Sequence, residues 1–154
     1  MPAEPDILLL CRCAHLAIEG IRKIENDICV ELQTSAATSF VMGLRVLNLQ
    51  RAVTAIGMFS LLESLLQERV GWDKPFNKLP DYLKNLGKAA LADTFIDYKN
   101  AIYVLKHGRG RSYEALLKRQ HELEFNVKLP EDVSFIEGRV DEVQILIDVN
   151  DDFV

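Results

Sequence analysis

Between Ala52 and Val70 the apolar residues fall at Ala52, Ala55, Ile56, Phe59, Leu62, Leu65, Leu66 and Val70. Steps of three and four residues sustained over this length describe a helix, and the apolar face is wide enough to need neighbours on more than one side. A chain holding such a segment folds as a helical bundle with this helix near its centre. Gly71 ends the helix, and its start falls between Phe40 and Asn48. Met58 and Phe59 belong to its core face. Glu63 interrupts that face, either pointing to water or pairing with a cation.

The remaining periodic segments supply the neighbours. After Pro5 and Asp6, apolar residues recur at Ile7, Leu10, Ala14, Ile18, Ile21, Ile24 or Ile28, and Leu32, a long amphipathic helix over about 6–33. Thr34 to Ser39 is small and polar, a break. Trp72 to Lys78 reads as a connector, Leu79-Pro80 opens a short helix, and Gly87 closes it. Leu91, Phe95, Tyr98, Ile102 and Leu105 form the stripe of a further helix that stops beyond His107, where Gly108 supplies a left-handed residue. Ser112 caps a last short helix through about Gln120, with Tyr113, Leu116 and Leu117 inward. Past Glu122, Phe125, Val127 and Leu129 alternate before Pro130, and Val143 to Val149 is β-branched, so extended structure or a hairpin is expected. The fold class is mainly α, an antiparallel bundle of four to five helices with a short extended C-terminal segment. Length favours one domain over 1–154, with a core at about 44–120 and an acidic, partly extended tail over 122–154.

Composition narrows the chemistry. With 49% hydrophobic and 27% charged residues and no low-complexity tract, the chain is globular. Cys11, Cys13 and Cys29 are odd in number and lack metal-ligand spacing, so neither a disulfide framework nor a zinc site is expected. Acids at Glu4 and Asp6, and an apolar run broken at Arg12, suit neither a signal peptide nor a membrane span. A cytoplasmic location and no membrane partner follow as expectations. There is no Gly-rich phosphate cradle after a strand, no His-Glu-x-x-His, no Cys-x-x-Cys and no nucleophile elbow, and no cofactor is expected.

One region runs against the overall charge of −5: from Lys99 to Arg119 there are six Lys or Arg and a single acid, Glu114. Asn100, Tyr103 and His107, seven and four residues before the end of that helix, share a face. A His among cations is the minimum set for cleaving RNA without metal, because a base takes the ribose 2′-OH proton and cations stabilise charge on the phosphate. An imidazole titrates near roughly 6.5, so His107 is the sensible base, whereas Lys99 and Lys106 are cations only. The alternative for His107 is a C-terminal helix residue favoured by the helix dipole. Lys106, Arg109 and Arg111 either grip phosphate or a partner's carboxylates, or are ordinary solvated residues. Tyr98, Tyr103 and Tyr113 offer stacking surfaces, although at helical spacing at least one belongs to the core. The segment from Glu122 onward holds ten acids and two bases, either contacting the basic loop or forming a solvated cover.

Two stretches together resemble the HEPN superfamily of small helical bundles found in prokaryotic toxins, antiphage systems and RNA-processing factors. The likeness covers about Leu44 to Leu117. Arg51 to Arg69, with Ser60, Glu63 and Ser64, is similar to the family's long helix bearing small residues and an acid. Tyr98-Lys99-Asn100 through His107-Gly108 is similar to the motif in which an Arg and a polar residue precede a His. In the family four to six residues intervene; here Lys99 stands in the Arg place with seven before His107. Lys keeps the charge but lacks the planar fork that suits phosphate oxygens. The resemblance implies a metal-independent endoribonuclease of a toxin–antitoxin or antiphage system, with Lys99, Asn100 and His107 catalytic and Tyr103, Lys106, Arg109 and Arg111 binding substrate. Alternatively it implies a non-catalytic module binding RNA, a nucleotide or a partner protein, such as an antitoxin, through the same basic cleft. It also implies a homodimer, which an exposed apolar stripe on two long helices would favour independently.

Overall fold

The computed structural model describes residues 4–34, 38–129 and 145–154. Five helices occur among them: α1 (Glu4–Leu32), α2 (Thr38–Val70), α3 (Pro75–Asn85), α4 (Ala89–His107) and α5 (Arg111–Lys118). They fall into two compact units, Met1–Asp73 with Val149–Val154, and Lys74–Asp148. The stretch 44–120 expected to form the core straddles that division.

The first unit is an α1–α2 hairpin. Asp6 near the start of α1 pairs with Arg69 near the end of α2 at 3.0 Å, and Ile28 lies against Gly43 near the start of α2, so the helices run antiparallel. Ile18, Ile21 and Leu47 form a buried cluster, joined by half-buried Ile28. Ile28, not the exposed Ile24, therefore carries the α1 seam at that turn. Ala52, Ala55 and Leu66 are buried as their spacing requires, and Ile56, Met58, Phe59 and Glu63 are half-buried. α2 begins at Thr38, earlier than expected, because Ser39 and Phe40 continue the helix. Val149 and Phe153 are buried, and Val154 packs against the Ile18 cluster.

In the second unit, α3 begins at Pro75 rather than Leu79. Proline suits the first helical position, where its missing N–H has no intrahelical partner. Pro80 then lies inside the helix and is buried. The turn after α3 is a Schellman motif: the N–H of Lys88 donates to the Leu83 carbonyl at 2.9 Å and that of Gly87 to Lys84 at 2.9 Å, with Gly87 at φ 74°. That reversal brings α4 back along α3, with Phe76 edge-on to Phe95 at 5.2 Å.

α4 is covered on more than one side. Phe95 meets α3, Asp97 meets Arg119 beyond α5, and Tyr98 meets Phe125 edge-on at 5.1 Å. Its buried residues are Ala92, Asp97, Ala101, Ile102 and Val104, while Leu91 is exposed. The single stripe expected from Leu91 to Leu105 is thus widened: Phe95, Tyr98, Ile102 and Leu105 are buried or half-buried as expected, Ala92, Asp97, Ala101 and Val104 are buried beside them, and Leu91 falls outside. Ser112 lies inside α5 rather than capping it; Gly110 occupies the cap position. Phe125 and Val127 are buried with Asn126 exposed between them, the expected alternation. Val127 bridges antiparallel to Ile147, the Lys128 N–H donating to the Leu146 carbonyl at 2.8 Å and the Asp148 N–H to the Asn126 carbonyl at 3.0 Å. Pro130, Val143 and the rest of the connection between these segments lie outside the described residues.

Candidate functional site

The expected site residues occupy the end of α4 and the start of α5. Lys99, Asn100, Tyr103, Lys106 and His107 are on α4, Arg109 is in the connecting turn, and Arg111 is the first residue of α5. Gly108 ends α4 at φ 73°, ψ −144°, outside the left-handed helical well and in a region that glycine alone enters freely; its N–H donates to the Val104 carbonyl at 2.8 Å. That sharp exit turns the chain directly into α5.

The structure brings some of these groups together and separates others. The Tyr103 and His107 rings stack, with centroids 6.3 Å apart and planes 25° from parallel, and both side chains are exposed. Lys106, Arg109 and Arg111 are exposed around them, and none forms an ion pair with a described residue. Lys99 and Asn100 are half-buried. Lys99 and His107 are eight helical steps apart, which places their backbones ~12 Å apart along the axis. Asn100 shares the Tyr103–His107 face but sits two turns back. The three residues assigned to catalysis therefore do not meet among the described contacts.

The first N–H groups of α5 receive no side-chain acceptor, since its cap is Gly110. An uncapped helix start has unsatisfied donors and a partial positive charge, and here it lies between Arg109 and Arg111. This corner is exposed and cationic, suited to a phosphate on its surface.

A hollow of about 270 Å³ in the same unit lies elsewhere, lined by Asp93, Asp97, Glu122 and Glu124 with Arg119, Tyr98 and Phe125 among its walls. Arg119 donates to Asp97 at 2.9 Å and to Glu122 at 3.1 Å. Burial raises the Asp97 carboxyl above its usual range; Arg119 opposes that, and Asp93, Glu122 and Glu124 add to it. Four carboxylates against one guanidinium repel phosphate, so this hollow is no cradle for RNA. Asp93 and Asp97, four residues apart on α4, were a sequence signal for it that charge counting over 99–119 passed by.

The tyrosines divide by environment. Tyr113 is buried and its hydroxyl donates to the Lys128 carbonyl at 2.7 Å, Tyr98 is half-buried on Phe125, and Tyr103 alone of the three is exposed.

In the hairpin unit, Arg51 is buried at the middle of α2. It donates through Nε to Asp151 at 2.9 Å, through Nη1 to Asn48 at 3.4 Å and through Nη2 to Glu25. Arg22 holds the other Asp151 oxygen at 2.9 Å. Burial opposes the Arg51 charge, but its two carboxylate partners outweigh burial and raise its pKa. Burial would likewise lift the Asp151 carboxyl, yet the hydrogen bonds from Arg22 and Arg51 hold it below its ordinary value. The last residues thus pin to α1 and α2 instead of forming a solvated cover. Cys11, Cys13 and Cys29 are exposed free thiols, and no group of side chains able to hold a metal ion occurs among the described residues.

No protein-family model matches this chain, and neither a curated protein nor a solved structure is significantly similar to it.

Proposed function

We propose that the α4–α5 corner binds single-stranded RNA without cutting it, as a non-catalytic HEPN-like module would. The observation that carries this reading is the uncapped start of α5 between Arg109 and Arg111, where backbone donors and two exposed guanidinium groups, without an ion pair among the described residues, can share one phosphate. Lys106 extends the cationic surface, and the exposed Tyr103–His107 pair offers a ring face to a base. The separation of Lys99 from His107 favours binding over catalysis, because base and phosphate clamp must converge on one reacting group.

The test is fluorescence anisotropy with a labelled single-stranded RNA in EDTA, over a series of salt concentrations. Affinity falls linearly with salt on logarithmic axes, and Arg109→Ala and Arg111→Ala each flatten the slope by about 0.7, the share of one phosphate on a single strand. Tyr103→Ala weakens binding roughly tenfold with little change in slope. Binding indifferent to salt, or unchanged in both arginine variants, refutes the assignment.

A second reading is metal-independent RNA cleavage with His107 as acid or base, as in a toxin or antiphage nuclease. Its support is the exposed imidazole at the same corner, free of ion pairs among the described residues. It requires RNA products with 2′,3′-cyclic phosphate ends in EDTA, lost in His107→Ala while thermal unfolding is unchanged. Cutting that survives the substitution removes His107 from the chemistry.

A further inference from the structure

α2 is apolar around most of its circumference, and α1 covers only part of it. On the far side Met42, Val46, Leu49 and Val53 are 49%, 60%, 39% and 54% exposed. Their spacing of four, three and four residues keeps them in one stripe along the helix. It also reads the same in both directions. An antiparallel copy with its two-fold axis between Val46 and Leu49 sets Met42 opposite the partner's Val53 and Val46 opposite the partner's Leu49, so every side chain of the stripe meets another of the same stripe. This is the self-complementarity that a two-fold interface requires. Gly57 continues the stripe, and a Cβ built on it would meet nothing within 4 Å, leaving room for the partner helix to approach.

We propose that this face of α2 docks against the same face of a second copy of the chain. In that register helix from about Thr38 to Gly57 overlaps its counterpart, roughly 30 Å of contact. The four side chains offer roughly 350 Å² per copy, about 700 Å² for the pair before the flanking stems of Arg45 and Gln50 add to it, which lies in the range of weak, transient interfaces. A reversible dimer is expected rather than an obligate one. α2 is also long and apolar enough, by length and composition, to cross a membrane. Against a bilayer stands Arg51 near its midpoint, tied to Glu25 and Asp151, since spanning would draw those charges into hydrocarbon.

The test is sedimentation equilibrium of the full chain between about 1 and 200 µM, an interval that brackets a weak interface of this size. The expected result is a monomer–dimer equilibrium that Val46→Glu weakens at least ~100-fold with unchanged far-UV circular dichroism, because a charge at the centre meets apolar partners twice. Register is read by disulfide formation in a chain whose three native cysteines are replaced by Ser. Val46→Cys with Leu49→Cys oxidises to a covalent dimer, whereas either substitution alone does not, since each residue then lies one turn from its own copy. A monomer at every concentration, a dimer indifferent to Val46→Glu, or a monomer that floats with phosphatidylcholine vesicles overturns the proposal. None of these measurements involves RNA, so the outcome is independent of the binding assigned to α4 and α5.

Discussion

Replacing Asp151 with Asn keeps the shape of the side chain and removes one negative charge from beside Arg51. The Arg51 side chain is 5% exposed, Asp151 22% and Arg22 57%. The Arg22 contact is therefore solvent-screened and contributes little, within the ~0–1 kcal/mol of surface pairs. The Arg51 contact is different, because a hydrogen bond to a charged group contributes about 1.5–3 kcal/mol. Stripping a buried ion of its only partner costs about 3–5 kcal/mol. That is an upper bound here, since Glu25 and Asn48 remain on the guanidinium. Asp151→Asn is expected to destabilise the hairpin unit by about 2 kcal/mol.

Trp72, the single tryptophan, belongs to this unit, so its fluorescence in urea reports the transition. With a slope of about 2 kcal/mol/M the midpoint falls by about 1 M. The pH dependence supplies a second check. Because the folded carboxyl sits below its unfolded value, its contribution is fully present above the ordinary carboxylate range and disappears as pH falls through the depressed folded value. The gap between parent and variant is constant above about pH 5 and closes towards about pH 2. Unfolding free energies that agree within ~0.5 kcal/mol at pH 7, or a gap undiminished at the acid end, would refute the ion-pair account.

Three further outcomes follow from the second unit. Gly108→Ala places a Cβ in open space at φ 73°, ψ −144°, so its cost is purely conformational, about 1–3 kcal/mol, and a thermal melt equal to the parent's would show the turn to be unstrained. Tyr113→Phe leaves the Lys128 carbonyl without its 2.7 Å donor and lowers stability by about 1–2 kcal/mol in denaturant titration; no change would show that water replaces the hydroxyl. Asp97→Asn carries the opposite pH signature to Asp151→Asn. The folded Asp97 carboxyl is raised, so its ionisation costs stability as pH rises through the folded value, and the variant gains relative to the parent from about pH 4 towards neutrality. A relative stability that falls over that interval would mean that the Arg119 contact outweighs desolvation.

Helix positions were legible because a 3.6-residue repeat is a local property. Ala52 to Leu66, Ile18 with Ile21, and Tyr113 with Leu116 could be placed from spacing alone, and Gly71, Gly87 and Gly108 all take positive φ at helix ends. Local rules failed where two signals competed. Pro80 resembled a helix start until Pro75 claimed that role, and Ser112 resembled a cap until Gly110 did. The cationic content of the α4–α5 corner could be counted along the chain, but the stacking of Tyr103 on His107 and the distance of Lys99 from both could not. Counting charges also gave no sign that Asp97 and Arg119 would pair in the wall of an acidic hollow.

The order of amino acids by itself determined the mainly helical fold, the buried faces of α1, α2 and α5 and the alternating segment at Val127, since each depends on neighbours within a turn or two. Only tertiary structure decided which charges leave water. Arg51 and Asp151 lie 100 residues apart, and nothing in either local sequence distinguishes them from solvated residues. Their pairing exists because the last turn of the chain folds back on the α1–α2 hairpin, where a buried guanidinium without carboxylates would be too costly to keep.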